Sequence, residues 1–214
     1  MRNYDRKDSF FCLLDNLLKT ISGNLNGTGR PNPGEDAEPL PQQSKSDRVF
    51  SGELMRINHS GEVAAQALYQ GQLFFETDTN MIDYLTNAAE EEADHLLWTS
   101  AQIKSLDTRQ SYLNVVWYFG AFFLGATASL YGEKISRGFL AETEKQVAKH
   151  LEGHLSRLPV NDKSSRRVIE LMLIDETAHA DWAENSQNYT ELNPFLKFVM
   201  KQGSKIMINV SQKI

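Results

Sequence analysis

The sequence predicts an all-α protein, and three observations carry that expectation. Four of the six prolines (Pro31, Pro33, Pro39 and Pro41) fall within eleven residues, and only Pro159 and Pro194 follow, so from Ser44 onward little interrupts long helices. Apolar residues recur at spacings of three and four along most of that length. Strand-like alternation is absent throughout. At 214 residues the chain is long enough for one domain with a real core.

The elements follow in order. Met1 to Ser9 is strongly charged and the apolar run after it is broken by Asp15, so no secretory signal is visible. Phe10, Leu13, Leu14, Leu17, Leu18 and Ile21 are helically spaced and predict an amphipathic helix over residues 1–21. Residues 22–46 are rich in Gly, Asn, Pro and Ser and read as a flexible linker. Residues 47–214 form the remaining domain. Its first long helix is expected at Asp47–Thr77 and its second at Asn80–Leu106, with capping residues between them from Thr77 to Asn80. An uncharged stretch, Gln110–Gly132, comes next. A third long helix, Glu133–Leu158, is ended by Pro159. Asn161 and Asp162 can cap a fourth, Lys163–Tyr189. A last helix starts near Pro194, a residue suited to a first turn.

Composition removes several functions. A net charge of −6 argues against a general nucleic-acid binder. The single cysteine, Cys12, excludes an internal disulfide and a thiolate metal cage. There is no phosphate-binding glycine loop, hence no Rossmann site for a nicotinamide, and no nucleophile-elbow motif.

The histidines carry the chemistry. Of His59, His95, His150, His154 and His179, two stand in the pattern Glu-x-x-His, as Glu92–His95 and Glu176–His179. Positions three apart share a helix face, so each pair can offer a carboxylate and an imidazole together. Two such pairs plus one Glu from each of two other helices make the ligand set of di-iron carboxylate bundles. The apolar seams supply those glutamates. Ile82, Leu85, Ala89, Glu92, Leu96, Thr99 and Ile103 line the second helix, and Ile169, Met172, Glu176, His179 and Ala183 the fourth. Leu140, Glu144, Val147, Leu151, His154 and Leu158 line the third, and Met55, Glu62, Ala65 and Tyr69 the first. Four unpaired carboxylates in one interior would be prohibitively costly or would protonate. Two cations remove the problem, and oxygen-rich ligation with one His per metal favours iron or manganese over structural zinc.

The neighbours divide. Glu90 and Asp94 read as part of a solvated face, whereas Glu91 and Asp175, each four residues before a candidate histidine, can accept its other ring N–H. His150 and His154 lie about 9 and 15 Å along a straight helix from Glu144, too far to share its metal, and read as polar groups of the bundle or a substrate mouth. His59, three residues before Glu62, reads as a positioning group or an ordinary surface residue.

Gln110–Gly132 has two readings. As a helix its 23 residues reach about 34 Å, a bilayer's span, but it carries Gln110, Ser111, Asn114, Thr127 and Ser129. It is either a crossover buried in the bundle or a segment whose Trp117, Tyr118, Phe119, Phe122, Phe123 and Leu124 face lipid from one side. The last helix favours lipid: Lys197, Lys201 and Lys205 form one stripe, opposite Phe195, Leu196, Val199, Ile206 and Val210. A contact with a partner helix or a second copy is the competing reading.

These residues resemble a known family. The run Leu54-Met55-Arg56-Ile57-Asn58-His59-Ser60-Gly61-Glu62, continuing from Val63 to Gln72, is similar to that of the demethoxyubiquinone hydroxylases. So are Glu90-Glu91-Glu92-Ala93-Asp94-His95-Leu96, Asp175-Glu176-Thr177-Ala178-His179, and Leu124-Gly125-Ala126 with Glu144 further on. The similarity runs from about Val49 to the C-terminus, and the N-terminal helix and linker look like those of the bacterial branch. The resemblance implies a ferritin-like four-helix di-iron bundle with an apolar crossover and extra terminal helices. It implies a peripheral protein at the cytoplasmic face of the cell membrane, a monooxygenase that uses O2 to hydroxylate the ring of a polyprenylated demethoxyubiquinone late in ubiquinone biosynthesis. It implies Glu62, Glu92 and His95 on one iron and Glu144, Glu176 and His179 on the other, with Glu92 and Glu176 bridging and no catalytic side chain beyond them. Membrane lipid, other ubiquinone-biosynthesis proteins and NADH as reductant are the implied partners. The alternative, a ferritin- or rubrerythrin-like bundle that handles iron or reduces peroxide, is opposed by the long apolar crossover and the lack of a Cys-x-x-Cys tail.

Overall fold

Four helix starts are set by a side-chain oxygen that accepts an amide proton one turn on: Ser44 from Asp47, Asp78 from Met81, Asp162 from Ser165 and Asn193 from Leu196. The structure, a computed structural model, describes residues 6–35 and 43–214, and side chains from Phe11 onward. Residues 1–5, the linker residues 36–42 with Pro39 and Pro41, and the Phe10 side chain lie outside the described residues. Among those described there are seven helices and no strand: α1 (Arg6–Ser22), α2 (Lys45–Phe75), α3 (Thr79–Ser105), α4 (Asn114–Leu130), α5 (Glu133–Arg157), α6 (Lys163–Asn185) and α7 (Pro194–Ser211). The all-α reading holds, with small shifts at the ends. The predicted fourth long helix stops at Asn185 rather than Tyr189, because Ser186 is extended and its hydroxyl donates to the Ala183 carbonyl.

Helices α2, α3, α5 and α6 make the bundle. Tyr69 meets Glu144 and Asn58 meets His154, so α2 and α5 run antiparallel. His95 meets Asp175 and Glu91 meets His179, so α3 and α6 do too. Every seam residue predicted for α2 and α6 is buried, and Ile82, Ala89 and Val147 are the partly exposed members on α3 and α5. One apolar plug (Leu54, Met55, Ile103, Leu151, Leu158, Ile169 and Met172 among its members) closes one end of the interior. Another, with Tyr69, Met81, Leu85, Leu140 and Ala183, closes the other. The four seam glutamates sit at the level between them.

Helix α4 lies along α2 and runs parallel to it. The two backbones touch: a Cβ at Gly71 would fall 2.2 Å from the Phe122 carbonyl oxygen, and one at Gly125 2.1 Å from that of Leu68. Of the six residues expected to face lipid together, Tyr118 and Phe122 are buried against α2, Trp117 is half-buried, and Phe119, Phe123 and Leu124 are exposed. Successive residues on a helix point about 100° apart, so an unbroken aromatic run cannot share one side. No helix among the described residues is long and apolar enough to cross a membrane.

The N-terminal segment also departs from expectation. Leu13, Leu17 and Ile21 of α1, and Leu25 after it, pack on the core cluster that contains Val63, Tyr118 and Phe122. Residues 24–35 then lie across α3 and α6 as a strap. The Gly34 carbonyl accepts from Ser164, the Thr28 hydroxyl donates to Asp94, and a Cβ at Gly27 would clash with Asp94. The composition that suggested a free tether is the one that lets a chain lie flat on two helices.

Helix α7 keeps Phe195, Phe198, Val199 and Ile206 exposed. Lys197, first of the predicted lysine stripe, is instead tied to Glu142 and Glu191. The end of the chain is anchored, with the Gln212 carbonyl accepting from Arg56 at 2.9 Å and that of Ile214 accepting from the Tyr112 amide.

Candidate metal centre

The structure brings all six predicted residues together in the interior. Glu62, Glu92, His95 and Glu176 form one group whose ligand atoms lie within 4.8 Å of one another, and Glu92, Glu144, Glu176 and His179 form a second. Glu92 and Glu176 belong to both groups. Each of these two carboxylates turns one oxygen to each histidine. The His95 Nδ1 lies 3.4 Å from Glu92 Oε2 and 3.4 Å from Glu176 Oε1, while His179 Nδ1 lies 3.5 Å from Glu92 Oε1 and 3.8 Å from Glu176 Oε2. Glu62 completes the first group at 3.5 Å from His95 Nδ1. The heptad seams produce this arrangement: each glutamate occupies a position where its helix otherwise points an apolar side chain inward.

These residues fit two metal ions. Both Nδ1 atoms and at least one carboxylate oxygen of each glutamate are buried with no hydrogen-bond partner, which in a protein interior is costly unless a cation answers them. With bonds of about 2.0–2.2 Å, ligand atoms on one ion stand roughly 3–4 Å apart, the range observed. The charges show the same tension. Burial, aided by the neighbouring carboxylates, pushes Glu62 and Glu144 well above the usual carboxylate range. Against the cost of burial, His95 and His179 hold Glu92 below it, and Glu92 and its neighbours raise both imidazoles.

The outer ring nitrogens are also engaged, in a crossed pattern. His95 Nε2 donates to Asp175 on α6 at 2.8 Å, and His179 Nε2 donates to Glu91 on α3 at 2.8 Å. The two acceptors are those the sequence singled out, but each serves the histidine of the other helix. The antiparallel register of α3 and α6 places them so; a carboxylate four residues back on the same helix lies a full turn away from the outer ring nitrogen. Glu144 is held by the Tyr69 hydroxyl, which donates to Oε1 at 2.7 Å. The seam argument found Tyr69 but gave it no role.

Other expectations are redistributed. Glu90 is exposed as predicted, whereas Asp94, read as solvated, is 2% exposed beneath the strap. Its partners are Thr28 and Arg30, residues the sequence reading passed over; an arginine isolated in a Gly/Asn/Pro stretch was the available signal. His154 is buried and donates from Nδ1 to Asn58, His150 packs against its ring, and neither joins the glutamate groups. His59 is buried against Asn114 of α4, so the surface placement is excluded.

Comparison with known proteins gives two findings. Residues 50–211 match the model of a family described as "Ubiquinone biosynthesis protein COQ7". The chain is 40% identical over 204 residues to a 3-demethoxyubiquinol 3-hydroxylase of Burkholderia vietnamiensis, covering 95% of this chain and 97% of that one. It is 40% identical to proteins of the same name from Ralstonia pickettii and Polynucleobacter necessarius, covering 97% of this chain in each case and 99% and 98% of theirs.

Proposed function

This chain belongs to the COQ7 family of ubiquinone biosynthesis proteins, and on that premise we propose that its buried glutamates and histidines would hold two irons and that the chain hydroxylates a demethoxyubiquinol ring. The chain is a hydroxylating enzyme of ubiquinone biosynthesis with the ferritin-like all-α fold of its family. The sequence reading took the substrate as the quinone. The relatives are named for the quinol, the same ring with two more electrons and two more protons.

The observation that carries the metal reading is the pair of shared carboxylates, each with one oxygen toward each histidine. In this reading Glu62 and His95 would help hold one iron, Glu144 and His179 the other, and Glu92 and Glu176 would be shared between them. Bound there, the irons supply the reductive activation of dioxygen that places one oxygen atom on the ring and leaves the other as water. The chain's own groups do the rest. Asp175 and Glu91 keep a proton on each Nε2 and so leave each Nδ1 free for metal. The Tyr69 hydroxyl orients Glu144, and the two apolar plugs keep bulk water from the site. Two electrons per turnover come from outside the chain, and NADH is the donor in this reading.

The exposed apolar side chains of α4 and α7, with Lys201 and Lys205 beside them, support peripheral docking on the cytoplasmic face of the cell membrane, where a polyprenylated substrate dissolves. The test of function is direct. Purified protein loaded with ferrous ion under argon is expected to hold two irons per chain and, with oxygen, to hydroxylate a short-tailed demethoxyubiquinol. Iron turnover with no ring product would assign an iron-handling role, and full iron occupancy in Glu176→Ala would overturn the ligand set.

A further inference from the structure

The two histidines share one pattern of contacts but differ in what supports the outer carboxylate. Each gives Nδ1 to the glutamates and Nε2 to a carboxylate of the opposite helix. The Glu91 acceptor is 39% exposed, open to water on its outer side. Asp175 is 13% exposed, and its Oδ2, the oxygen that accepts from His95, also takes Arg30 Nη1 at 2.8 Å. The same guanidinium gives Nε to Asp94 of α3 at 3.2 Å and lies 5.0 Å from the centre of the Trp98 ring. Trp98 is one turn beyond His95 and its ring lies 5.5 Å from the imidazole. Thr28, two residues before Arg30, donates to the same oxygen of Asp94. Arg30 therefore ties α3 to α6 at the level of His95 and fixes the carboxylate on which that ring rests. It arrives from the strap, outside the stretch 50–211 that matches the family.

We propose that Arg30 is a positioning residue of the metal centre, acting through Asp175 to set the orientation of the His95 imidazole, so that the two metal positions are held with unequal rigidity. A planar fork with one arm on each of two helices fixes geometry in a way a point charge does not. Groups that orient a ligand histidine through its second nitrogen are typically worth about 10–100-fold in metal affinity, and one step further out we expect the lower end. The proposal rests on the metal reading above for its second measurement but not for its first.

The first measurement is made on metal-free protein by nitrogen-15 NMR of the His95 ring. In Arg30→Gln, exchange of the Nε2 proton with solvent is expected to quicken measurably, with His179 unchanged. The second is a ferrous titration under argon: one of two binding steps is expected to weaken about tenfold and the other to stay within about twofold. Arg30→Lys, which keeps the charge and loses the fork, should fall between, and it supplies the same readouts if Arg30→Gln does not fold. Thr28→Val loosens the strap without touching Asp175 and is expected to lower thermal stability alone. If Arg30→Gln behaves as Thr28→Val does, with the His95 proton and both binding steps as in the unaltered protein, Arg30 is only a fastener and the proposal is overturned. If the unaltered protein binds no iron while the His95 proton still responds to Arg30→Gln, the metal reading fails and the positioning role stands.

Discussion

The imidazole of His95, on α3, rests its Nε2 on Asp175 of α6 at 2.8 Å, so the outer partner of each candidate ligand comes from the opposite helix. This pairing stiffens two helices against each other as well as two rings. Asp175→Asn keeps the shape of the acceptor and removes its charge. A loss of about 10–100-fold in ferrous affinity on the His95 side is expected, read by anaerobic titration. Glu91→Gln should cost less, because water reaches that carboxylate and can replace it.

Tyr69 has no exposed surface, and burial together with the charges of Glu144, Glu92 and Glu176 keeps its hydroxyl protonated. Tyr69→Phe removes the donor to Glu144 and leaves a buried oxygen without a partner. Urea unfolding of metal-free protein should show a destabilisation of about 1–3 kcal/mol. A change under about 0.3 kcal/mol would mean that Glu144 turns elsewhere for its proton.

Two glycines on α2 should respond in opposite senses to the same substitution. Gly71→Ala forces a methyl against the backbone of α4 and should destabilise by about 1–3 kcal/mol or more. Gly61→Ala meets nothing within 4 Å and should stabilise by about 0.4–1 kcal/mol. Thermal midpoints of the two variants check both signs at once.

Acid should weaken the fold through histidines that the metal reading does not use. Burial depresses His59 to about 4, burial with Arg157 depresses His150 to about 4, and burial with His150 and Arg157 depresses His154 to about 2. An unfolded histidine titrates near 6.5, so between about pH 6.5 and 4 the unfolded chain binds protons that the folded one refuses. The contribution of these three histidines is full above about pH 6.5 and falls as pH drops through that window. In His59→Gln the slope should be shallower by up to about 1.4 kcal/mol per pH unit. Parallel urea curves for the variant and the unaltered protein from pH 7 to 5 test this, and equal slopes would reject it.

Membrane docking is tested by point substitutions, because truncating α7 would also strip carbonyl partners from Arg56 and Tyr112. Phe195→Ser with Phe198→Ser should cut co-sedimentation with anionic vesicles several-fold while leaving thermal stability within about 0.5 kcal/mol of its value. Undiminished sedimentation would remove α7 as an anchor.

The centre was legible in the sequence because a carboxylate on an apolar seam breaks a pattern, and Glu62, Glu92, Glu144 and Glu176 each break one. Helix starts were legible for a local reason, since Asp78 and Asp162 bond within their own first turn. What stayed hidden depends on register between distant segments. The crossing of Asp175 to His95 needs the offset of α3 against α6, and the burial of Asp94 needs a strap that composition described as loose. The lipid-facing list failed for a geometric reason, since Tyr118 and Phe122 alternate around α4 with Phe119 and Phe123.

The seating of α4 on α2 through Gly71 and Gly125 leaves no side-chain cushion between the helix that displays apolar surface and the helix that carries Glu62. So close a backbone contact is expected to make the pair move together. In the docking reading, a surface that captures Phe119 and Phe123 would therefore set the tilt of the whole bundle, and with it the angle at which a substrate arriving from that surface would meet the glutamates.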